Sequence, residues 1–516
     1  MKLALLLIYF AIMVGIGLYC RKHTTDVAGF VLGGRSVGPW LTAFAYGTSY
    51  FSAVVFVGYA GQFGWKYGIA ATWAGIGNAL VGSLLAWVVL GRRTRIMTQH
   101  FNSATMPQFF GERFQSKGLK IGASVIVFLF LIPYTASLFN GLSRLFGMAF
   151  HMDYAICIIL MGVLTGIYVI AGGYMATAIN DFVQGCVMLV GICVVIAAVL
   201  NTQGGFTEAL HSLGAVSDPT TPNGEVPGIF ASFFGPDPVN LLGVVLLTSL
   251  GTWGLPQMVQ KFYAIKSEDS IQKGTIISTL FAFVVAGGCY FLGGFGRLFS
   301  DRVDIAADGY DSIIPAMMEG LPDLLIAIVV ILVLSASMST LSSLVIASSS
   351  TMTIDLLKDN VIKDLNDRET IFIIRCFIVV FVLISMIIAI VQYKFSIGFI
   401  AQLMGVSWGA LAGAFLAPFL YGLYWKKVTK AACWTSFLFG SGIMVLNLLQ
   451  NAFFPELFPV LLRSPINCGA FAMLAGLVIV PVVSLFTQTP DQAMVDQAFA
   501  CYEKKSPVSQ KNALSD

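Results

Sequence analysis

Long apolar runs, broken by short polar stretches rich in Gly, Pro and charge, alternate along this chain from its second residue to about residue 487. About 20 apolar residues in helical form cross the hydrocarbon core of a bilayer. On that criterion the pattern predicts thirteen spans, at 3–20, 40–62, 68–91, 121–147, 154–174, 181–200, 240–262, 274–297, 324–350, 371–393, 396–424, 431–449 and 467–487. The first run follows Lys2 as a signal peptide would. It reaches Tyr19 without a small-residue cleavage site, so it is expected as a helix. The expected fold class is an all-α polytopic membrane protein.

Basic residues set the expected orientation. The odd-numbered loops and the C-terminal tail hold Arg21, Lys22 and Arg35, the 92–120 cluster, Lys261, Lys266 and Lys273, the 358–375 cluster, Lys426, Lys427 and Lys430, and Lys504, Lys505 and Lys511. The longest connection, 201–239, contains no Lys or Arg but does contain Glu208, Asp218, Glu225 and Asp237. The positive-inside rule then puts the N-terminus outside and the C-terminus in the cytoplasm, which an odd number of spans requires. The expected location is the plasma (inner) membrane.

Composition narrows the function. The 516 residues are 57% hydrophobic and 11% charged, with a mean hydropathy of +0.84, whereas soluble domains carry about 25% charged residues. A net charge of +3 with no basic stripe argues against a nucleic-acid partner. The nine cysteines show no CxxC spacing and read as small hydrophobes. No GxSxG elbow, no GxxxxGK[ST] loop and no His-based metal spacing occurs, so neither an enzyme nor an ATP-driven pump is expected. The bilayer itself is the implied partner; oligomeric state is not legible.

Two spans break the apolar rule. The second contains Tyr46-Gly47-Thr48-Ser49-Tyr50-Phe51-Ser52, and the seventh contains Thr248-Ser249-Leu250-Gly251-Thr252-Trp253-Gly254-Leu255-Pro256-Gln257. They open two blocks of five spans, 2–6 and 7–11. Five is odd, so the second block enters the membrane in the opposite sense. Interrupted helices at matching positions of inverted halves mark transporter binding sites; the blander reading is a pair of glycine-rich packing helices. The expected organisation is an N-terminal extra helix and cytoplasmic loop (1–39), a first repeat (40–200), an extracellular loop (201–239), a second repeat (240–424), two peripheral helices (425–487) and a cytoplasmic tail (488–516).

The ninth span carries Ser335-Ala336-Ser337-Met338-Ser339-Thr340-Leu341-Ser342-Ser343. Residues three and four apart share a helix face, which groups Ala336, Ser339 and Thr340, then Ser339, Ser342 and Ser343. Hydroxyl and freed carbonyl oxygens suit a small hard cation, although serines also bond back to their own helix or join helices. Asp181, at the start of the sixth span, is costly at such depth unless paired or ion-bound. Alternatively, it is an N-terminal acid favoured by the helix dipole.

Four stretches carry a likeness to a known family. They are Leu32-Gly33-Gly34-Arg35-Ser36-Val37-Gly38-Pro39, Met106-Pro107-Gln108-Phe109-Phe110-Gly111-Glu112-Arg113-Phe114, Ala171-Gly172-Gly173-Tyr174 leading to Asp181, and the Ser337–Ser343 run. On these the chain resembles the sodium:solute symporter family over roughly 1–490, nearest in pattern to the sodium/proline branch. The resemblance implies a core of two inverted five-helix repeats with broken first and sixth core helices. It also implies co-transported sodium, held by the carbonyls of Thr48, Phe51 and Ala336 and the hydroxyls of Ser339 and Thr340. A second sodium, as in the sialic acid transporters, would fall to Asp181, Ser339, Ser342 and Ser343. Tyr50, Ser52, Tyr134, Thr252 and Trp253 are the implied substrate contacts. The expected function is sodium-driven uptake of a small organic solute, an amino acid such as proline or an organic acid, by alternating access. The alternative is a proton-coupled or uncoupled carrier of the same fold.

Overall fold

In hydrocarbon, backbone polar groups can be satisfied only inside helices or closed barrels, and this chain takes the helical solution. The structure is a computed structural model that describes residues 2–21, 26–150, 152–305, 309–358, 361–362, 365–395, 400–454 and 456–502. Helices α1 (Lys2–Cys20), α2 (Val27–Leu32), α3 (Pro39–Tyr50), α4 (Ala60–Tyr67) and α5 (Thr72–Gly77) open the chain. They are followed by α6 (Arg92–His100), α7 (Met106–Arg113), α8 (Lys117–Phe150), α9 (Tyr154–Thr202) and α10 (Phe206–Gly214). The second half contains α11 (Pro238–Leu250), α12 (Pro256–Ala264), α13 (Glu268–Gly293), α14 (Ile313–Met318), α15 (Asp323–Ser350) and α16 (Asp367–Phe395). Last come α17 (Ile400–Tyr424), α18 (Lys430–Phe453), α19 (Val460–Arg463), α20 (Pro465–Phe486) and α21 (Gln492–Phe499). No strand forms among the described residues; a lone parallel bridge joins Val37 to Ile265.

Nine helical stretches among the described residues are long and apolar enough to cross a membrane, or ten if the bent pair Pro238–Gly254 and Pro256–Ala264 counts as one span. The expected thirteen is not reached by that measure. The apolar part of α1, Ala4–Cys20, is short, and two of the nine stretches are very long: Val54–His100 has 47 residues and Tyr154–Thr202 has 49. At 1.5 Å per residue each would run about 70 Å if straight, against a core of about 30 Å. Each contains a glycine in the left-handed φ range that kinks it, Gly68 (φ 61°) and Gly173 (φ 56°). Hydropathy alone does not register such kinks.

Burial separates a centre from a lipid-facing rim. The apolar window of α15 is 72% buried and that of α17 is 89% buried, against 39% for α16, α18 and α20. Val88, Val190, Leu280 and Phe486 present large apolar side chains on the outside. Helix α15 packs on α9 and α8, and α1 lies along α9. The connections are not bare loops. The 201–239 segment holds α10, and the polar tail after residue 488 folds α21 back so that Met494, Val495, Ala498 and Phe499 are buried.

Three further contacts fix the layout. Arg297 donates to the Trp65 carbonyl (2.6 Å), to Asp218 (2.8 Å) and to the Thr221 hydroxyl (2.8 Å), tying the long loop to the end of α4. Burial pushes the Asp218 carboxyl upward, but hydrogen bonds from Thr220, Thr221 and Arg297 outweigh it and hold the group well below the usual carboxylate range. This latch is therefore intact above the unfolded carboxylate value of about 4 and is lost only as pH falls through the depressed folded value.

At the opposite end, Gly33, Gly34 and Arg35 are all left-handed. Arg35 offsets that strain by donating to the carbonyls of Thr98 (3.3 Å), Ser103 (2.6 Å) and Tyr263 (3.2 Å). Beside it, Val37 N donates to Ala264 O (3.2 Å) and Lys266 N donates to Val37 O (3.1 Å). Helices α4 and α13 cross backbone to backbone: a Cβ built on Gly64 would overlap the Gly293 carbonyl, and one on Gly293 would overlap that of Ala60. Small residues permit such close approach in membranes. Gly64→Val is expected to destabilise by at least about 1–3 kcal/mol, read as a lower thermal midpoint of the detergent-solubilised protein.

Candidate functional site

Helix α3 ends where Phe51 adopts extended geometry (φ −90°, ψ 115°), and helical structure resumes at Val54. The last carbonyls of a helix have no partner within it and carry the negative end of its dipole. Thr48 and Phe51 supply two of them. The Thr340 hydroxyl on α15 lies 3.1 Å from Thr48 O, 3.3 Å from Phe51 O and 3.1 Å from Ala336 O. The Ser339 hydroxyl donates to the Thr48 hydroxyl at 2.7 Å. A hydroxyl has one proton and cannot serve three carbonyls at once, so lone pairs outnumber protons here. All five residues expected to bind the first sodium converge, each no more than 1% exposed. Such an all-oxygen, uncharged cluster suits a hard cation of low charge. The amide freed by the same break, Ala53 N, donates to Ser337 Oγ at 3.0 Å. Ser337 is not singled out by the sequence, although it stands in the same serine run.

Two of the expected second-ion residues, Asp181 and Ser343, also meet, but around an unexpected group. Asp181 is fully buried, about two turns beyond the Gly173 kink inside the continuous α9. It is therefore not a helix N-terminal acid, because the dipole effect fades within the first turn. Lys261 on α12, 1% exposed, places its Nζ 3.8 Å from the Asp181 carboxylate, 3.0 Å from Ser343 Oγ and 5.0 Å from the centre of the Tyr174 ring. Ser49 Oγ is 3.0 Å from Ser343 Oγ as well. The Ser342 hydroxyl donates to Ser339 O at 2.9 Å, and Tyr168 donates to Met338 O at 2.8 Å, tying α9 to α15. Counting Lys261 with the loop lysines misplaces it. It falls inside the expected seventh span, and a charge within a span is itself a functional signal.

The implied substrate contacts divide into two groups. Tyr134 on α8 is fully buried beside Ser52 and Trp408, and its hydroxyl makes no hydrogen bond of good geometry. Its ring meets Trp408 of α17 edge-on at 5.9 Å, and the Trp408 indole N–H likewise lacks a well-aligned hydrogen bond. Trp408 in turn abuts Gly251 at the bend of α11 into α12. Ser52 Oγ accepts from Val54 N at 3.2 Å.

Thr252 and Trp253, by contrast, have their donors committed. The Thr252 hydroxyl lies 3.1 Å from Gly82 O and 2.9 Å from Ser249 O, which share its one proton, while Trp253 donates to Val81 O (3.0 Å). They hold the bent helix against the 78–85 segment and offer no free polar group. The Tyr50 side chain lies outside the described residues. Sequence reasoning misses Trp408, an aromatic in an apolar run with nothing to distinguish it from core. It also misses Gln257, next to Pro256 at the bend, whose buried amide has neither atom partnered.

Three comparisons bear on this arrangement. The model of the sodium:solute symporter family matches residues 30–440. The osmoregulated proline transporter OpuE of Bacillus subtilis is 27% identical over 494 residues, 94% of this chain and 95% of that one. A sodium/proline symporter of Staphylococcus aureus is 30% identical over 449 residues, 85% of this chain and 84% of that one. Among solved structures, a substrate-bound, outward-open Na+-coupled sialic acid symporter superposes with a TM-score of 0.75 at 14% identity. That match covers 95% of this chain and 99% of the other. The nucleobase-cation-symport-1 transporter Mhp1 gives 0.51 at 13% identity, covering 90% and 97%. These two likenesses concern the fold. This multi-pass membrane protein belongs to the sodium:solute symporter family and is a sodium-coupled symporter.

Proposed function

We propose that the chain takes up a small zwitterionic amino acid, proline in the first instance, with sodium bound between the α3 break and α15. The observation that carries this is the convergence of Thr48 O, Phe51 O, Ala336 O, Ser339 Oγ and Thr340 Oγ1 on one buried centre. Sodium there joins the broken helix to α15 and completes the neighbouring site, where Tyr134 and Trp408 present an aromatic corner whose hydroxyl and indole N–H lack well-aligned hydrogen bonds. An apolar lining with few polar groups suits a compact apolar ring carrying charged ends. The two relatives named for proline transport agree with this choice. Thr252 and Trp253 serve as supports, not contacts.

The proposed topology has thirteen crossings, with repeats at 40–200 and 240–424, an external N-terminus and a cytoplasmic C-terminus in the plasma membrane. The Arg35–Val37 contacts then close the cytoplasmic end. Loss of sodium to a low-sodium cytoplasm loosens the α3–α15 junction and frees the substrate. Each charge crossing the potential contributes about 2.3 kcal/mol per 100 mV, enough for uphill uptake. A proton-coupled cycle is less favoured because the buried acid Asp181 already faces the Lys261 ammonium.

Proteoliposomes with an inward sodium gradient are expected to accumulate labelled proline above equilibrium, and choline in place of sodium to abolish this. Equilibration without accumulation would point to an uncoupled carrier, and accumulation driven by a proton gradient alone would overturn the ion assignment. Ser339→Ala with Thr340→Ala removes two ligands, each a hydrogen-bond-scale loss of about 1 kcal/mol or more. The sodium concentration for half-maximal uptake is expected to rise about tenfold or more, with the protein still folded. Tyr134→Phe removes a hydroxyl that lacks a well-aligned internal hydrogen bond. Its thermal midpoint should stay unchanged while the KM for substrate rises about five- to tenfold.

A further inference from the structure

We propose that Lys261 is a resident cation: its ammonium fills the second cation position of the core and limits the transporter to one sodium per cycle. The proposal builds on the first-sodium reading above and concerns a separate group of residues.

Burying a lone charge in a membrane protein is costly, and the cost falls only when an opposite charge and hydrogen bonds accompany it. Asp181 and Lys261 are each at most 1% exposed and lie 3.8 Å apart. Ser339 lies beside Asp181, and Lys261 is the one positive charge that the described residues place against it. The carboxylate thus relies on one positive charge for compensation, and Lys261 Nζ supplies it. The ammonium is further held by Ser343 Oγ at 3.0 Å and by the face of Tyr174. A metal cation bound to Asp181 and Ser343 would have to occupy the space between them. Nζ sits there already, and two unit charges a few ångströms apart in a low dielectric repel strongly. Occupation by ammonium and by sodium is mutually exclusive.

The tether sets the two cations apart. Sodium leaves; an ammonium on a side chain does not. Lys261 rides on α12, the second limb of the bent helix, whose end carries the Val37 contacts. Asp181 belongs to α9 and Ser343 to α15. The pair therefore fastens a limb of one repeat to helices of both, with no ion entering or leaving. Ser339 lies beside Asp181 and also donates to Thr48, so the fixed charge adjoins the exchangeable sodium without competing for the same oxygens.

The test is the coupling ratio of the full-length protein in proteoliposomes, from reversal potentials and parallel fluxes of labelled sodium and proline. Wild type is expected to show a ratio of one and a hyperbolic sodium dependence; a ratio of two would overturn the proposal. Lys261→Met leaves an uncompensated carboxylate that admits sodium. Its ratio is expected to become two, its sodium dependence sigmoidal. A ratio still at one with unchanged sodium dependence would also overturn the proposal. If Lys261→Met fails to insert, the neutral pair Lys261→Met with Asp181→Asn is expected to restore insertion and keep the ratio at one. Failure of that pair to insert would assign Lys261 a packing role instead. Transport by wild type with no sodium dependence at all would sink the first-sodium reading, a result distinct from each of these.

Discussion

Every polar backbone atom left free in the middle of a membrane needs a partner, and much of this molecule's core answers that demand at one place. Where α3 stops at Phe51, two carbonyls and an amide lose their helical bonds. Ser337 takes the amide, Thr340 stands among the carbonyls, and Ser339 bridges to Thr48. Three side chains of α15 thus close the break and leave surplus lone pairs at the proposed sodium site. The freed amide rests on Ser337, while Ser339 and Thr340 are the hydroxyls assigned to the ion in the proposed function.

The second bend is handled differently. Gly251 and Gly254 let α17 approach closely, and Thr252, Trp253 and Tyr46 bond to carbonyls at Val81 and Gly82. That bend is braced by its neighbours, whereas the first is braced by α15. In the proposed cycle that asymmetry gives the two limbs distinct roles: α3 would respond to sodium, and α12 carries the buried Lys261.

Much of this was legible because breaks leave marks in composition. Gly47, Gly251, Gly254 and Pro256 interrupt apolar runs, and the serine run cannot face lipid in bulk, so both bends and the facing helix could be read in advance. The convergence of Thr48, Phe51, Ala336, Ser339 and Thr340 agrees with what the family resemblance implied. Other features left no such mark. A hydropathy count does not reveal that Gly68 and Gly173 are kinks inside long helices, because φ is not a property of composition. Lys261 is near the end of an apolar run, where a lysine can extend to the surface; only the packing of α12 against α3 and α15 turns it inward, toward Asp181 of α9. Trp408 is an apolar residue among apolar residues until Tyr134 is placed against it. Thr252 and Trp253 carry the right atoms for a ligand, but those atoms are consumed by main-chain acceptors.

The seal at the Arg35 end has one more consequence. Two of its contacts, Val37 N to Ala264 O and Lys266 N to Val37 O, run from main chain to main chain, and Arg35 itself reaches only carbonyl oxygens and one threonine hydroxyl. Its strength is therefore nearly independent of which side chains occupy 264–266. In the proposed cycle, opening this end would peel a single rung of sheet, the same small increment in each turnover. Evolution can alter the surroundings of that hinge, and with them the pace of the cycle, while the fastening itself stays the same.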